Sequence, residues 1–127
     1  MDFTLTDDQQ AVRTLARDFA EAEVAPVIRE FDEKHEFPHA ILARLGATGL
    51  LGALVPEEYG GAALDYVSYA LAVEELNRVD GSVGITMWAH NSLCTNHITL
   101  FGSPEQKRAY LPNLASGRTL GAWGLGW

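Results

Sequence analysis

The first residues whose spacing matches a chemical site are His35-Glu36-Phe37-Pro38-His39, which fit the H-E-x-x-H pattern of zinc proteases. That chemistry needs both imidazoles on one face of a continuous helix, with the glutamate beside the metal-bound water. Pro38 lies inside the pattern and disfavours the helical conformation at Phe37. Since no third ligand is apparent either, we interpret residues 35–39 as a solvated loop between two helices and predict no metal site.

A second group of polar side chains, His90, Asn91 and Ser92, lies inside an apolar stretch from Gly81 to Gly102 that contains no Asp, Glu, Lys or Arg. Two interpretations stay open for this group: hydrogen bonding to neighbouring loops, or lining a ligand pocket and fixing something polar in it. A serine hydrolase is disfavoured, because residues two apart on a helix do not face each other and no oxyanion hole is indicated.

Two remaining features carry weaker chemical signals. Cys94 is the single cysteine, and its apolar neighbours indicate a buried, unreactive thiol that forms no intrachain disulfide. The glycines of Gly121-x-x-Gly124-x-Gly126 lack the order of the dinucleotide fingerprint and the helix that should follow it. We therefore assign neither a nucleophile nor a dinucleotide site.

The chain that must position these residues has 127 residues, is 47% hydrophobic and carries a net charge of −8. This composition indicates one folded domain and shows no basic footprint for nucleic acid or anionic lipid. The acidic N-terminus lacks the features of a signal or transit peptide, and a lone cysteine fits a reducing compartment. We expect a cytoplasmic protein that is not attached to a membrane.

The hydrophobic periodicity predicts an all-α bundle of about five to six helices. Capping signals place helix starts at Thr6, Asp65 and Ser103, where a side-chain acceptor precedes an apolar stripe. Pro26 interrupts the first stripe and predicts a kink or two abutting helices.

The centre of the bundle is predicted to be one apolar helix at roughly 82–101, buried by its neighbours. Ser82 is the expected N-cap, and Gly102 is expected to end the helix in a left-handed turn. After this helical region, the residues from Thr119 to Leu125 have the alternation of a β-strand, so the chain is predicted to end at the start of a strand.

Several segments, in this order, resemble the N-terminal all-helical domain of acyl-CoA dehydrogenases, and the likeness runs from Phe3 to Leu125. They are LTDDQQAVRTLARDFAEAEVAP at the start, LVPEEYGG (54–61), VEELNRVDGSVG (73–84), HNSL (90–93), FGSPEQKRAYLPNLASG (101–117) and GAWGL (121–125). Each segment alone is a weak signal, whereas their order and spacing together are specific.

This resemblance implies a flavoenzyme whose subunit has an N-terminal helical domain, a middle β-barrel domain and a C-terminal four-helix domain. Residues 1–118 would form the helical domain, and residues 119–127 would begin the middle domain. The implied reaction is α,β-dehydrogenation of an acyl-CoA thioester, in which a glutamate takes the α-proton and FAD accepts hydride. Electron-transferring flavoprotein would then take the electrons, and the parent enzyme would be a homo-oligomer.

Carried over by position, the resemblance assigns Thr86, Ala89, His90 and Leu93 to the wall of the acyl-CoA pocket. It assigns Trp123 and Leu125 to strand positions beside the flavin. No residue of this chain matches the family's catalytic base, so no catalytic residue is predicted.

One departure limits what the resemblance implies, since Gly126-Trp127 stands where the family has Thr-Glu-Pro. We therefore expect a partial chain that is inactive alone, binds FAD weakly and exposes apolar surface at Trp123 and Trp127. The alternative is a free-standing helical ligand-binding or interaction module without enzyme activity.

Overall fold

A computed structural model describes residues 1–126, and within them all regular structure is helical, as the hydrophobic periodicity predicts. The helices are α1 Asp7–Phe19, α2 Ile28–Lys34, α3 His39–Ala47, α4 Tyr66–Val79, α5 Gly81–Trp88, α6 Asn96–Phe101 and α7 Pro104–Ala115. Because α5 and α6 are joined without a break, residues 1–126 contain six helical rods, which confirms the predicted number.

The three predicted N-caps are confirmed. Thr6 and Ser103 each close a capping box, with Gln9 and Gln106 as the reciprocal partners. The Asp65 carboxylate accepts from the backbone N–H groups of the two residues that follow Tyr66. Each cap satisfies backbone donors that the helix itself leaves unpaired, so these local signals fix where α1, α4 and α7 begin.

Pro26 does separate two helices. The rod of α1 continues through one π-helical segment, Ala20–Val24, and α2 starts only at Ile28. At the end of α2, His35 adopts a left-handed conformation with φ 55°, while His39 opens α3. His35 thus follows the end of one helix and His39 begins the next, so the two imidazoles of the H-E-x-x-H pattern share no helical face.

The central helix is defined here as the continuous rod Gly81–Phe101, made of α5, a π-helical segment Ala89–Thr95, and α6. Its extent matches the predicted range. The predicted N-cap, Ser82, and the predicted left-handed turn at Gly102 are both wrong. Asp80 is the N-cap, accepting from Val83 N–H at 2.8 Å, and the Ser82 hydroxyl donates to the same carboxylate. Gly102 is extended, with φ −70° and ψ 149°.

Physical reasons for both differences lie next to the helix ends. A carboxylate is a stronger acceptor than a hydroxyl, so Asp80 takes the capping position two residues before Ser82. Gly102 leads directly into Ser103, whose capping conformation is itself extended, so no left-handed turn is needed.

The central helix is buried on one side only, which corrects the prediction of a helix covered all round. Its inward face packs against α4, the short turn Leu50–Gly52 and the end of α7. Its outward face exposes large apolar side chains, namely Ile85, Trp88, Leu100 and Phe101. The bundle has too few elements to cover both faces, so one face of the central helix meets solvent in this chain.

The main core joins α1, α3, the 50–53 turn, α4 and α5 through buried aliphatic and aromatic side chains. Its largest fully buried members are Ile41, Leu45, Leu50, Leu51, Leu76 and Met87. A smaller cluster forms where Val55 meets Leu111 and Ala115 of α7. These two clusters hold the inward face of the central helix in place.

The segment after α7 differs from its sequence-based prediction. Residues 120–126 carry no regular secondary structure, because a strand needs a paired neighbour and residues 1–126 provide none. Trp123 and Leu125 are 53% and 89% exposed, whereas the prediction for Trp127 lies outside the described residues. In the described part of the chain, no helix combines the length and apolarity needed to cross a bilayer.

Candidate functional site

His90 lies at the middle of the central helix and is 0% exposed. Its Nε2 lies 2.9 Å from the Leu51 carbonyl oxygen and 3.1 Å from that of Leu114. Its Nδ1 lies 2.8 Å from the backbone nitrogen of Gly121. Because a carbonyl only accepts and an N–H only donates, these partners require a neutral ring with the proton on Nε2.

Burial also lowers the pKa of His90, and the two carbonyls that accept from Nε2 oppose that shift only in part. The ring is thus a neutral connector between three segments of backbone. Of the two interpretations left open by the sequence, hydrogen bonding to loops describes His90, whose nitrogens are all used inside the domain.

Asn91 and Ser92 serve the same packing. The Asn91 side-chain amide donates to the carbonyls of Leu50 and Met87, at 2.9 Å and 3.1 Å. Its Oδ1 is buried and has no hydrogen-bond partner among the described residues. The Ser92 hydroxyl lies 2.8 Å from the Tyr69 hydroxyl, which ties the central helix to α4. These polar groups hold elements together instead of pointing at an open pocket.

The other predicted pocket residues lie on the neighbouring face of the central helix. Thr86, Ala89 and Leu93, called here the 86–93 strip, occupy successive turns and are each half-buried. The Thr86 hydroxyl donates to the Ser82 carbonyl one turn earlier, so the strip offers mainly methyl and methylene groups. Ile85 and Trp88 flank it with exposed apolar surface.

Trp123 and Leu125, the predicted flavin neighbours, lie beyond the bundle on the segment that follows α7. The Trp123 ring packs against His97 with a centroid distance of 5.8 Å, and His97 packs against Phe101 at 5.0 Å. The structure therefore brings Trp123 to the α6 end of the central helix, and it leaves Leu125 free of the bundle.

A second buried polar centre, which sequence reasoning missed, lies between α1 and α4. The Glu75 side chain is 2% exposed, and its carboxylate accepts from Arg13 and Arg78 at 3.1 Å and from Arg17 at 2.7 Å. Hydrogen bonds from these guanidinium groups, Arg17 first, outweigh burial and lower the pKa of Glu75 to about 2. The arginines at positions 13 and 17, one turn apart on α1, were the available signal.

This arrangement offers chemistry of a limited kind. Glu75 is fully engaged by arginines and is held as a carboxylate, which makes it a poor proton acceptor. Within residues 1–126, no three His, Cys, Asp or Glu side chains converge as a metal site would require. Large apolar side chains are exposed beside the 86–93 strip, at Ile85 and Trp88, and on the segment after α7, at Trp123.

Comparison with known proteins connects this geometry to a family. The family model described as "Acyl-CoA dehydrogenase, N-terminal domain" matches residues 6–118. The short-chain specific acyl-CoA dehydrogenase of Clostridium acetobutylicum is 46% identical over 125 residues, which cover 98% of this chain and 33% of that protein. The chain thus spans about a third of the length of the curated relatives it matches.

Solved structures show the same likeness. A chain in the structure described as the electron transferring flavoprotein of Acidaminococcus fermentans has a TM-score of 0.91 at 46% identity, covering 94% of this chain and 32% of that one. The acyl-CoA dehydrogenase of Bacillus anthracis complexed with FAD has a TM-score of 0.85 at 43% identity, covering 91% of this chain and 20% of that one.

Proposed function

Because this chain belongs to the acyl-CoA dehydrogenase family, as its N-terminal domain, we propose that it serves an FAD-dependent acyl-CoA dehydrogenase. Residues 1–118 are the helical domain, and residues 119–127 lead into the middle β domain. The substrates are short-chain acyl-CoA thioesters, the class named for the Clostridium acetobutylicum relative. The parent enzyme is a homo-oligomer that passes electrons to an electron-transferring flavoprotein, as the family resemblance implies.

The 86–93 strip is the part of this chain that we assign to the acyl group. Its support is one observation: a half-buried row of small and apolar side chains on an otherwise fixed helix. Ala89 at its middle carries only a methyl group, so a larger side chain there would project into the space that we assign to the acyl group. His90 was predicted to line the pocket as well, but it is fully buried, so we place it behind the strip as support.

Trp123 and Leu125 are the residues that we assign to the flavin. Both offer exposed apolar surface, and a planar tryptophan suits contact with a planar ring system. FAD would supply the hydride acceptor in the parent enzyme. Apolar contact alone does not hold the ribityl and phosphate groups of FAD, so we propose that the 127-residue chain binds it weakly and does not turn over substrate.

A chimera tests the assignment of the strip. The aligned residues of this chain replace those of the Clostridium acetobutylicum enzyme, and butyryl-CoA-dependent dye reduction is measured. Ala89→Phe should lower kcat/KM by about tenfold or more, since overfilling a pocket costs at least about 1.4 kcal/mol. Ala43→Phe, at an exposed position of α3, is the matched control and should leave kcat/KM unchanged. Equal activity of the two variants would remove the strip from the proposed site.

The 127-residue chain by itself tests the remaining claim. Purified chain should show no stoichiometric flavin absorbance and no butyryl-CoA-dependent dye reduction, and either signal would refute the proposed inactivity. A thermal transition that shifts with acyl-CoA but not with FAD would instead favour the free-standing binding module.

A further inference from the structure

One contact ties the segment beyond α7 to the middle of the central helix. The Gly121 backbone N–H donates to Nδ1 of His90 over 2.8 Å, across 31 positions of sequence. Before it, the Thr119 N–H donates to the Asn113 carbonyl at 3.2 Å, which only continues the end of α7. The bond at Gly121 is therefore the hydrogen bond that joins this segment to the middle of the central helix.

The surroundings of Gly121 show that the attachment is a fitted one. A Cβ added at this position would lie 2.5 Å from Cys94 Sγ and 3.2 Å from Leu114 Cδ2. The backbone of the next residue, Ala122, opposes in part the burial that raises the pKa of the Cys94 thiol. Cys94 follows His90 by one helical turn, so the two side chains form adjacent walls around the glycine. A residue without a side chain is what this position accommodates.

His90 is itself held from the opposite side. Its Nε2–H is shared between the Leu51 and Leu114 carbonyls, which fixes the ring plane and leaves Nδ1 as an acceptor with a set direction. One imidazole thus joins the 50–52 turn, the end of α7 and the segment that follows it. Trp123 lies two residues beyond Gly121, so this bond limits where its ring can lie against His97.

We propose that His90 is a positioning residue. Its Nδ1 accepts the Gly121 N–H, a hydrogen bond that we call the latch, and this bond sets the position of Trp123 at the α6 end of the central helix. The latch concerns contacts within this chain. Only its consequence, the placement of a residue assigned to the flavin, rests on the proposed function. A side chain that only packs could not replace this histidine, because the ring accepts from Gly121 and also donates to the carbonyls of Leu51 and Leu114.

Two conservative variants separate the role of Nδ1 from the role of Nε2. In His90→Gln the amide nitrogen replaces Nε2 and can still donate to the Leu51 carbonyl, but nothing accepts from Gly121. In His90→Asn the amide oxygen replaces Nδ1 and can still accept from Gly121. Amide hydrogen exchange at Gly121, read by NMR on the 127-residue chain, should speed up about tenfold in His90→Gln and far less in His90→Asn.

His39→Gln, on the exposed start of α3, is the matched control and should leave exchange at Gly121 unchanged. The fluorescence of Trp123, isolated in a Trp88→Phe and Trp127→Phe background, should shift toward that of a solvated indole only in His90→Gln. Equal exchange rates at Gly121 in the two His90 variants would overturn the latch, as would no change from the unmutated chain.

A measurement without a core mutation covers the case in which the variants fail to fold. In the unmutated chain, a nitrogen–nitrogen scalar coupling across the hydrogen bond should connect the Gly121 amide to His90 Nδ1. Its absence at neutral pH would refute the proposal. Since neither experiment contains flavin or thioester, failure of the latch is distinguishable from failure of the proposed function.

Discussion

The two buried polar centres of this domain use opposite chemistry. Glu75 is a carboxylate that three arginines keep charged, and its pKa is lowered to about 2. His90 is an imidazole that burial keeps neutral, and every one of its partners is a backbone group. The first centre joins α1 to α4 through long side chains, and the second joins the 50–52 turn, the end of α7 and the segment after α7 to the central helix.

This difference shows what each centre can fix. Arginine side chains are flexible and their heads are half-exposed at Glu75, so that centre tolerates small movements between the helices it joins. Backbone groups have no such freedom, so the His90 centre defines positions closely. We therefore expect the Glu75 centre to contribute mainly stability and the His90 centre to contribute mainly geometry.

The largest effect is expected from Glu75→Ala. Removal of the carboxylate leaves three arginine heads without their shared partner and should lower the free energy of unfolding by about 3 kcal/mol. Urea denaturation measures the change, and Glu74→Ala on the exposed side of the same helix turn is the control, expected within about 0.5 kcal/mol of the unmutated chain. A similar, small loss in both variants would show that the arginine cluster is not a stabilising centre.

The pH dependence of stability should separate the two centres. The pKa of Glu75 is about 2 in the folded chain against an ordinary 4.5, so its contribution is present above pH 4.5 and is lost as pH falls toward 2. Allowing for screening of the half-exposed arginines, the loss should be about 2 kcal/mol. The pKa of His90 lies below its ordinary 6.5, so protonation of the unfolded chain lowers stability as soon as pH falls below 6.5.

Urea denaturation at a series of pH values checks both windows. In Glu75→Gln the free energy of unfolding should no longer fall between pH 4.5 and pH 2, and its fall below pH 6.5 should remain. In His90→Gln the fall that begins below pH 6.5 should disappear, and the one below pH 4.5 should remain. If either variant kept the full pH profile, the assignment of that window to its residue would be wrong.

Gly121→Ala tests the His90 centre, and its expected effect on the free energy of unfolding is smaller. The new methyl group would meet Cys94 Sγ at 2.5 Å, and relief of that overlap should cost about 1–2 kcal/mol and displace the segment. Gly124→Ala, where a Cβ would meet nothing within 4 Å, is the matched control. Adding Cys94→Ala to Gly121→Ala should restore only part of the loss, because the Cys94 Cβ would still lie 2.8 Å from the new methyl group. No recovery at all would show that the thiol is not an obstacle.

The smallest effects are expected at the two capping boxes, one in each region. Thr6→Ala at α1 and Ser103→Ala at α7 should each cost about 1 kcal/mol, because each removes one side-chain acceptor from a backbone N–H. If the domain unfolds as one unit, each variant shows a single thermal transition, and both lower its midpoint temperature by the same amount. Two separate transitions would mean that the Glu75 and His90 regions unfold independently.

Local signals in the sequence predicted the helix starts well, and competing signals did not. Thr6 and Ser103 bond to groups three residues away, so their spacing alone determines the cap. At the central helix, Asp80 and Ser82 are both good caps within two positions, and only the folded chain shows that the carboxylate is used. The family resemblance supplied what these signals could not, namely the domain type.

The sequence was least informative about burial and the polar centres. Glu75 meets Arg13 across 62 positions and His90 meets Leu51 across 39, separations at which side-chain type says nothing about contact. The central helix was predicted to be buried by its neighbours because apolar residues lie nearly all round it, and residue type alone does not show which side is covered. Apolar side chains do lie on both sides of the rod, but the neighbouring elements cover only the side of Val83 and Met87 and leave Ile85 and Leu100 exposed.

The exposed aromatic side chains near the end of the central helix have a calorimetric consequence. Phe101, Tyr110 and Trp123 are exposed, and the hydration of their apolar surface adds to the heat capacity of the free chain. Whatever surface comes to cover them, in a second copy or in further chain, must release this water. The binding enthalpy should then become more negative as temperature rises, whether the affinity is high or low.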